Sequence, residues 1–411
     1  MRILHFVPYL TSGGVAEVWM NLTKAFAKLG CEVYLIGPYV NNLKDYVNLY
    51  EVSKAVSMHI PDPFYTLAYV QMNKRLIEGV LKREHVDVLL THGPLAAVCL
   101  EGSIMSKVKC YSIVHGTYAN EVRWMKLHPI SGLEKLRYIL GISLSHYHDM
   151  KLYSLLSLRG VRFIAVSSKT KEELVNAGIS RDSIYSILNG VDKHFFRPLS
   201  KDEAKSYIEE KFNVKTDGFM IAHVGLSPRK GTHVLLKALA LLKRKGVKFT
   251  ALLIGKTGLK TYRQYLKRMI ETLNLKDYIK MLGFISSTDL LHVYNAADLT
   301  VVPSYSEGNP LVIPESLACA TLVIATDVGG NREYLELVGL RDLLVDLSVY
   351  DFSKTIFLKT FELVNSISYI RSKLFSNAEA IPSWDDVGTE YLRILREDRR
   401  ILVVENGSIY T

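Results

Sequence analysis

Short apolar runs alternate with longer amphipathic stretches along most of the chain. It opens with RILHFVPY, a run of branched and aromatic residues that predicts a buried strand. After the turn TSGG comes AEVWMNLTKAFAKLG, in which Val18, Leu22, Phe26 and Leu29 recur at helical spacing and Gly30 marks the end. The opening residues therefore predict a strand, a glycine-containing turn and a helix.

The same pattern recurs in both halves of the chain. Further strand candidates in the first half are VYLIG, DVLLTHG, CYSIVHG and RFIAVS. The second half restarts at FMIAHVG, passes the turn LSPRKG and enters the helix HVLLKALALLKRKG. It continues through the strand candidates TALLIG, YIKMLGF, LTVVPS and TLVIATD. The segments between strands are long enough for crossover helices, so the pattern predicts two doubly wound, Rossmann-like α/β domains.

The join between the domains is predicted in ILNGVDKHFFRP, where Asn189 and Gly190 turn the chain. We place the domains at 1–195 and 196–382, with 383–411 as a C-terminal helix and tail that cross back to the first domain. Ligands of open α/β sheets bind beyond the carboxyl ends of the strands. The loops at those ends, facing a cleft between the two domains, should therefore carry the function.

Composition narrows the class of protein. A length of 411 residues favours two domains, and 48% hydrophobic residues argue against disorder. We see no apolar run of about 18 residues and no signal-peptide pattern, so we expect a cytoplasmic protein. The cysteines show no CxxC spacing, which predicts buried free thiols rather than a disulfide or zinc framework. They are Cys31, Cys99, Cys110 and Cys319.

The formal charge of +10 calls for an acidic partner, such as nucleic acid, anionic lipid or a phosphorylated small molecule. The charges are dispersed along helix-like stretches such as NKRLIEGVLKREH, which reads most simply as a solvated helix face. We find no nucleic-acid-binding module and expect no nucleic-acid partner.

Two glutamates, Glu307 and Glu315, lie eight positions apart in SYSEGNPLVIPES, directly after the strand LTVVPS. Backbone amides near the following helix start lack intrahelical partners and suit hydroxyls or a diphosphate. Two carboxylates beside such amides suggest a sugar joined to a nucleoside by phosphates. The alternative is an ordinary helix with one acidic residue in its first turn and another in the loop before it. The amides are those of Gly308, Asn309, Leu311 and Val312.

Other loops help to decide between a nucleotide-sugar site and an ordinary helix start. LSPRKG places Arg229 and Lys230 at a helix start, where two cations oppose the helix dipole and a bound phosphate would explain them better than an exposed basic turn. Gly13 and Gly14 allow a ligand to approach the backbone closely, but they also suit any strand-to-helix turn. His115 ends a strand, which distinguishes it from the usual structural histidine.

These motifs together resemble a retaining glycosyltransferase of the GT-B fold, in glycosyltransferase family 4 (glycosyl transferases group 1). The resemblance is carried, in the family's order, by GGVAE, VHG, VSS, NGVD, PRKG, LGF, the glutamate pair in SEGNPLVIPES, and GGNRE. One feature departs from the family. Its usual Gly-Arg turn is replaced here by Gly225 and Leu226, so Arg229 would supply the guanidinium from another position.

The resemblance implies a role for each candidate. Glu315 would hold the ribose hydroxyls of a nucleotide-sugar, and Glu307 and His115 would lie near the transferred sugar. Arg229 and Lys230 would neutralise the leaving diphosphate. The remaining donor contacts would come from the backbone near the diphosphate and from side chains near the base. The contacts near the diphosphate would come from Gly13, Gly14, Gly308, Asn309, Leu311 and Val312. Those near the base would come from Phe284 and Ile285.

The implied reaction moves a sugar from a nucleotide-diphosphate-sugar to a hydroxyl of a glycan or lipid-linked acceptor. We find no Asp-x-Asp, so we expect chemistry without a metal or cofactor. No protein nucleophile is evident, and the resemblance implies front-face attack by the acceptor hydroxyl. A glycoside hydrolase fits poorly, because both glutamates lie on one loop-helix unit. A P-loop fails because Thr250 occupies the position of the required glycine before GKT. A non-catalytic GT-B subunit remains the alternative.

The segment 121–158 leaves the acceptor open. It mixes basic residues with leucines and with Trp124, Tyr138 and Tyr147. Such a segment could lie on an anionic membrane and admit a lipid-linked acceptor. The sequence favours amphipathic helices packed on the domain. The donor sugar and its base also stay open.

Overall fold

A computed structural model describes residues 1–8, 10, 12–51, 62–100, 102–105, 107–347 and 352–397. The chain forms two compact units. The first consists of residues 1–117, 143–189 and those from 384 on, and the second consists of 118–142 and 190–383.

The first unit is built on a parallel sheet that has seven strands among the described residues. They are β1 (Arg2–Phe6), β2 (Glu32–Gly37), β3 (Asn48–Glu51), β4 (Val88–His92), β5 (Lys109–Val114), β6 (Arg162–Ala165) and β7 (Ile184–Ser186). Their order across the sheet is β3-β2-β1-β4-β5-β6-β7. The strand order therefore reverses between β1 and β4, which is where doubly wound sheets bind ligands.

The second unit repeats this plan. Within 190–347 and 352–383 its sheet has six parallel strands. They are β8 (Phe219–Val224), β9 (Phe249–Ile254), β10 (Ile279–Gly283), β11 (Leu299–Val302), β12 (Leu322–Thr326) and β13 (Leu344–Val345). The order β10-β9-β8-β11-β12-β13 reverses between β8 and β11. The predicted pair of doubly wound, Rossmann-like units is confirmed.

Helices connect the strands and cover the sheets. In chain order they are α1 (Gly14–Lys28), α2 (Asp62–Arg83), α3 (Gly102–Met105), α4 (Ala119–Trp124), α5 (Gly132–Leu158), α6 (Ser168–Asn176), α7 (Lys201–Phe212), α8 (Thr232–Arg244), α9 (Lys260–Thr272), α10 (Ser287–Ala296), α11 (Val312–Ala318), α12 (Asn331–Leu337), α13 (Phe352–Asn377) and α14 (Trp384–Glu397). Three residues of the predicted α1 face, Val18, Leu22 and Phe26, are buried. The fourth, Leu29, follows the last helical residue and is exposed. All four cysteines are buried and free, as predicted.

Helix α14 belongs to the first unit and packs on α1. The rings of Phe26 and Tyr391 lie 6.0 Å apart, edge to face. Gly388 allows the close approach, because a Cβ there would lie 2.8 Å from the Cβ of Ala25. The end of the chain's second half thus returns to the core of the first unit.

The unit boundaries lie at 189/190 and 383/384, beside the predicted 195/196 and 382/383. The segment 118–142 differs more from the prediction, since it packs with the second unit although it was placed in the first domain. The Glu134 carboxylate explains part of this, because it accepts the backbone N–H of Lys260 at 2.9 Å and of Thr261 at 2.8 Å. These are free N–H groups at the start of α9, so Glu134 caps that helix.

Candidate functional site

The second unit brings three loops together at the carboxyl ends of β8, β11 and β12, which are neighbours in the sheet. Backbone hydrogen bonds join them. Tyr305 N–H donates to the carbonyl of Arg229 at 2.8 Å, and Gly330 N–H donates to the carbonyl of Gly308 at 2.8 Å. The predicted loops PRKG, SEGN and GGNRE therefore form one site at the reversal point of the sheet.

Two glycines permit this contact. Gly231 has a φ of +70°, and a Cβ built on it would lie 1.9 Å from the Pro303 carbonyl oxygen. Gly329 has a φ of +52°, and its Cβ would lie 2.4 Å from the carbonyl oxygens of Glu307 and Gly308. Only glycine allows both the left-handed backbone and the close approach.

Glu307 is buried at the centre of this site between two cations. Its carboxylate lies 2.7 Å from Lys230 Nζ and 3.0 Å from Arg229 Nη1. The Ser304 hydroxyl donates to it at 2.6 Å, and Arg229 also donates to the Ser306 carbonyl at 2.5 Å. Every oxygen of the buried carboxylate therefore has a charged or hydroxyl partner, as a buried charge requires.

The electrostatics of Glu307 follow from these contacts. Burial alone would raise its pKa, but Lys230, Arg229 and the Ser304 hydroxyl outweigh burial and lower the pKa to about 2. Glu307 is thus ionised at neutral pH, and two cations facing one carboxylate leave a net positive charge at the site. This is not a free basic turn, because the Lys230 side chain is only 18% exposed and the Arg229 side chain, at 37%, is paired with Glu307. The partner of Lys230 inside the chain is also Glu307.

A second buried carboxylate, Glu121 on α4, was missed by the sequence analysis. Its Oε2 lies 4.0 Å from Arg229 Nε and accepts no hydrogen bond from any described residue. Burial raises the pKa of Glu121 to about 7, although Arg229 lowers it. His128 Nδ1 lies 3.8 Å from Glu121 Oε1, and burial lowers the pKa of this histidine to about 4. Between about pH 4 and pH 7 both groups are therefore neutral and do not form an ion pair.

Helix α11 begins directly after the glutamate loop. Its first hydrogen bond runs from Glu315 N–H to the Leu311 carbonyl at 3.0 Å, so the N–H groups of Leu311 and Val312 precede the intrahelical ladder. Asn309 accepts the Tyr334 hydroxyl at 2.6 Å through its side chain, and this bond holds the loop in place. Of the predicted amides, those of Leu311 and Val312 lie at the start of α11, and those of Gly308 and Asn309 lie in the loop before it.

Glu315 lies apart from the ion cluster, on the first turn of α11. Its Oε2 accepts the hydroxyl of Tyr294 at 2.9 Å, and Tyr294 itself is fully buried on α10. Because this bond fixes one carboxylate oxygen, the orientation of the whole group is set before any ligand binds.

The two predicted base contacts lie after β10, at the edge of the sheet. Phe284 is 70% exposed, while Ile285 is half-buried against the core that contains Ile254. Ser286 and Asp289 then form a capping box that starts α10. An exposed aromatic ring on a rigid turn suits stacking on a planar ligand group.

In the first unit, Gly13 and Gly14 start helix α1. Gly13 has a φ of +93°, which explains the glycine. A Cβ built on Gly14 meets no atom of the described residues within 4 Å, so nothing described in the chain requires a glycine there. The open space is compatible with a ligand that approaches the backbone.

His115 belongs to a chain of hydrogen-bonded side chains across β1, β4 and β5. His115 Nε2 lies 2.6 Å from His92 Nδ1, and His92 Nε2 lies 2.7 Å from His5 Nε2. The chain ends where His5 Nδ1 meets the Thr23 hydroxyl at 2.8 Å. A predicted lone histidine is therefore the outer member of a connected set.

The tautomer of each histidine follows from the buried end of this chain. The Thr23 hydroxyl donates to the Trp19 carbonyl at 2.7 Å, so it must accept from His5 Nδ1. Neutral His5 then accepts at Nε2 from His92, and neutral His92 accepts at Nδ1 from His115 Nε2. His115 is left with an unprotonated Nδ1, which can accept a hydrogen bond from a hydroxyl.

These histidines should make the first unit sensitive to acid. Burial, and secondarily the charge on His115, lowers the pKa of His5 from 6.5 to about 3, and the pKa of the buried His92 is also lowered. Between pH 6.5 and pH 3, His5 binds a proton in the unfolded chain but not in the folded one. The free energy of unfolding therefore falls as the pH drops below 6.5. For His5 alone we expect a loss of about 2 kcal/mol at pH 5 relative to pH 7.5.

Urea unfolding at pH 7.5 and pH 5 measures this loss. His5→Asn should flatten the pH dependence even though it lowers stability at pH 7.5, while His194→Gln, which removes an exposed histidine, is the control and should leave the dependence unchanged. An unaltered pH dependence in His5→Asn would contradict the assignment.

Among the residues that the structure describes, no group of three or more His, Cys, Asp or Glu side chains is arranged to hold a metal ion. No helix in the described ranges is both long and apolar enough to cross a bilayer.

Comparison with known proteins supports the fold and the family. Residues 12–195 match the sequence model described as Glycosyltransferase Family 4, and residues 205–339 match the one described as Glycosyl transferases group 1. An uncharacterized glycosyltransferase from Methanocaldococcus jannaschii is 30% identical over 343 residues, which cover 79% of each chain. D-inositol 3-phosphate glycosyltransferase from Mycolicibacterium smegmatis is 34% identical over 187 residues.

The match to that Mycolicibacterium protein covers 42% of this chain and spans only 41% of the relative's length. Among solved structures, a sucrose-phosphate synthase from Thermosynechococcus elongatus aligns with a TM-score of 0.77 at 17% identity, covering 97% of this chain and 99% of its own. HepE from Anabaena, solved with UDP, aligns with a TM-score of 0.69 at 20% identity, covering 96% and 100%. With two doubly wound units and family models matched in both halves, the chain belongs to the GT-B glycosyltransferases of the family 4 and group 1 type.

Proposed function

We propose that this protein is a retaining, metal-independent glycosyltransferase that moves a sugar from a nucleotide-diphosphate-sugar to a hydroxyl acceptor. The observation that carries the proposal is the Arg229–Glu307–Lys230 cluster at the strand-order reversal of the second unit. HepE, which shares the fold, has been crystallised with UDP-glucose. Support also comes from the family, since the relatives from Mycolicibacterium smegmatis and Methanocaldococcus jannaschii are glycosyltransferases by name.

The charge at the cluster suits departure of a diphosphate. Cleavage of the sugar–phosphate bond develops positive charge on the anomeric carbon and negative charge on the leaving oxygen. Lys230 and Arg229 are preorganised by Glu307, and one such donor is worth about 3 kcal/mol in the transition state. In this scheme Arg229 supplies the guanidinium that the family places after Gly225. The leaving phosphate takes the proton of the acceptor hydroxyl, so neither a metal nor a further cofactor is needed.

The other candidate residues have complementary chemistry. Glu315, held by Tyr294, would accept two vicinal ribose hydroxyls, and the exposed ring of Phe284 would stack on the base. In the first unit, His115 Nδ1 would accept a sugar hydroxyl, and the open backbone at Gly14 would accommodate a phosphate. Retention itself is tested by the anomeric configuration of the product, read by NMR.

The first test is thermal stabilisation of the protein by UDP-, GDP- and ADP-sugars, measured both with and without EDTA. We expect one nucleotide class to raise the unfolding temperature. Glu315→Gln should weaken the binding of that nucleotide sugar by about ten- to a hundredfold. The amide can still accept the Tyr294 hydroxyl, but it is no longer a charged acceptor for the ribose.

Glu271→Gln, an exposed change on α9, is the matched control and should bind like the wild type. If no sugar nucleotide stabilises the wild-type protein, the proposal is wrong and a non-catalytic GT-B subunit takes its place. Binding that is lost in EDTA would instead overturn the metal-independent part alone.

A further inference from the structure

Glu121 is an acid that the fold keeps away from water without giving it a full set of partners. Its side chain is 2% exposed, and its Oε2 accepts no hydrogen bond from any described residue. The Tyr138 hydroxyl donates to the other oxygen, Oε1. An unpaired oxygen on a buried carboxylate costs free energy, so the presence of an acid at this position calls for an explanation.

The polar groups around Glu121 do not compensate a permanent negative charge. His128 Nδ1 lies 3.8 Å from Oε1, and neither ring nitrogen of this buried histidine has a hydrogen-bond partner elsewhere in the described chain. The nearby cation Arg229 is already engaged, since its Nη1 donates to the Ser306 carbonyl and to Glu307. Its Nε lies 4.0 Å from Glu121 Oε2, which is beyond hydrogen-bond distance.

Glu121 changes its charge near neutral pH. The groups that face it are Tyr138 of α5, His128 in the loop before α5, Arg229 in the turn before α8 and Glu307 in the loop after β11. Burial raises the pKa of Glu121 to about 7; Arg229 lowers this pKa, and the charge of Glu307 raises it by a smaller amount. Glu121 is therefore mostly an uncharged acid at pH 6 and mostly a carboxylate at pH 8.

We propose that Glu121 is a positioning residue that controls the cations Arg229 and Lys230 through its own charge. As an uncharged acid it leaves their cluster net positive, with Arg229 bound to Glu307. As a carboxylate it cancels the net charge and draws the Arg229 guanidinium toward itself, so the cluster attracts a diphosphate more weakly. The inference rests on the proposed function, because it takes this cluster to be the site of the leaving diphosphate.

Calorimetric binding of UDP, GDP and ADP between pH 6 and pH 8.5 tests this inference in the wild type and in Glu121→Gln. The amide has the shape of the acid but cannot ionise. The ratio of variant to wild-type affinity cancels the titration of the nucleotide itself. For the nucleotide that binds, we expect this ratio to rise by about tenfold over the range. The ratio of kcat/KM for the corresponding donor should rise in the same way.

Tyr138→Phe is a second variant that leaves the carboxyl group in place. It removes the hydrogen bond to Oε1, and the loss of a donor to the ionised form raises the pKa of Glu121. The fall in affinity should therefore move to higher pH rather than disappear. A merely structural role for either residue predicts instead a weakening that is equal at pH 6 and pH 8.5. Glu271→Gln, an exposed change on α9, is the control and should keep the wild-type profile.

Urea unfolding checks the ionisation of Glu121 without any ligand. A pKa that is raised in the folded chain favours folding at low pH, and this advantage is lost as the pH rises to about 7. Between pH 5 and pH 8 the unfolding constant of the wild type, relative to that of Glu121→Gln, should therefore increase by about fiftyfold. An unchanged ratio would show that Glu121 does not titrate in this range and would overturn the inference.

The binding results separate this inference from the proposed function. An affinity ratio that stays constant from pH 6 to pH 8.5, for a nucleotide that does bind, would overturn the role of Glu121 and leave the proposed function intact. If none of the three nucleotides binds either protein at any pH, the proposed function fails and the inference fails with it.

Discussion

Replacing Lys230 by Met should lower turnover by about a hundred- to a thousandfold while the second unit stays folded. The Lys230 stem runs over Gly225, where a Cβ would lie 3.1 to 3.3 Å from its methylene carbons. Methionine keeps much of this packing and removes only the charge. The lost turnover should therefore measure how far the ammonium stabilises the leaving diphosphate, read as kcat with a saturating donor.

The charge of Lys230 also has a structural partner, and the two roles must be separated. Lys230 Nζ lies 2.7 Å from the buried Glu307 carboxylate, so the single variant leaves that charge with only one cation and should lose about 3 kcal/mol of stability. Lys230→Met combined with Glu307→Gln removes both charges and should recover most of that stability. Turnover should stay low in the double variant, because no charge at position 230 faces the diphosphate.

Lys237→Met, an exposed change on α8 directly after this turn, is the control and should leave turnover within about twofold of the wild type. Recovery of turnover in the Lys230/Glu307 double variant would contradict the catalytic role. It would show that Lys230 serves only to neutralise the buried carboxylate.

The fold was predictable because its central strands are apolar on both faces. Runs such as FMIAHV and LTVV can only be buried, and each is followed by glycine- or proline-containing turns and an amphipathic helix. The strands that the prediction missed, β3, β7 and β13, all lie at sheet edges and have two to four residues. Their sequences, NLYE, IYS and LV, contain no apolar run long enough to detect.

The candidate site was predictable only where a local pattern marks it. Glu307, Arg229 and Lys230 occur in loops whose position after a strand can be read from the sequence. Glu121 could not be found in this way, because its burial depends on a segment that packs with the other unit. His5 carried a weak signal, as a polar residue inside the buried strand RILHF, but its connection to His115 depends on the order of β1, β4 and β5 across the sheet.

The glycine at the start of α8 should be as important to stability as any core residue. Gly231→Ala should destabilise the second unit by about 4 kcal/mol, because it adds a clash with the Pro303 carbonyl to the strain of a left-handed alanine. The clash cannot be relieved by a side-chain rotation, since both atoms belong to rigid backbone. Either the helix start or the β11 loop must move, and with it the distance between Lys230 and Glu307.

Helix α8 supplies its own control for this change. Gly246, just after the other end of α8, has a φ of +74°, nearly that of Gly231, but a Cβ there meets nothing within 4 Å. Gly246→Ala should therefore show the backbone strain alone, about 1 kcal/mol. Urea unfolding followed by circular dichroism compares the two variants, and equal losses would show that the contact with Pro303 relaxes freely. A larger loss in Gly231→Ala, accompanied by lower turnover in the protein that remains folded, would show that this contact holds the cations in register with Glu307.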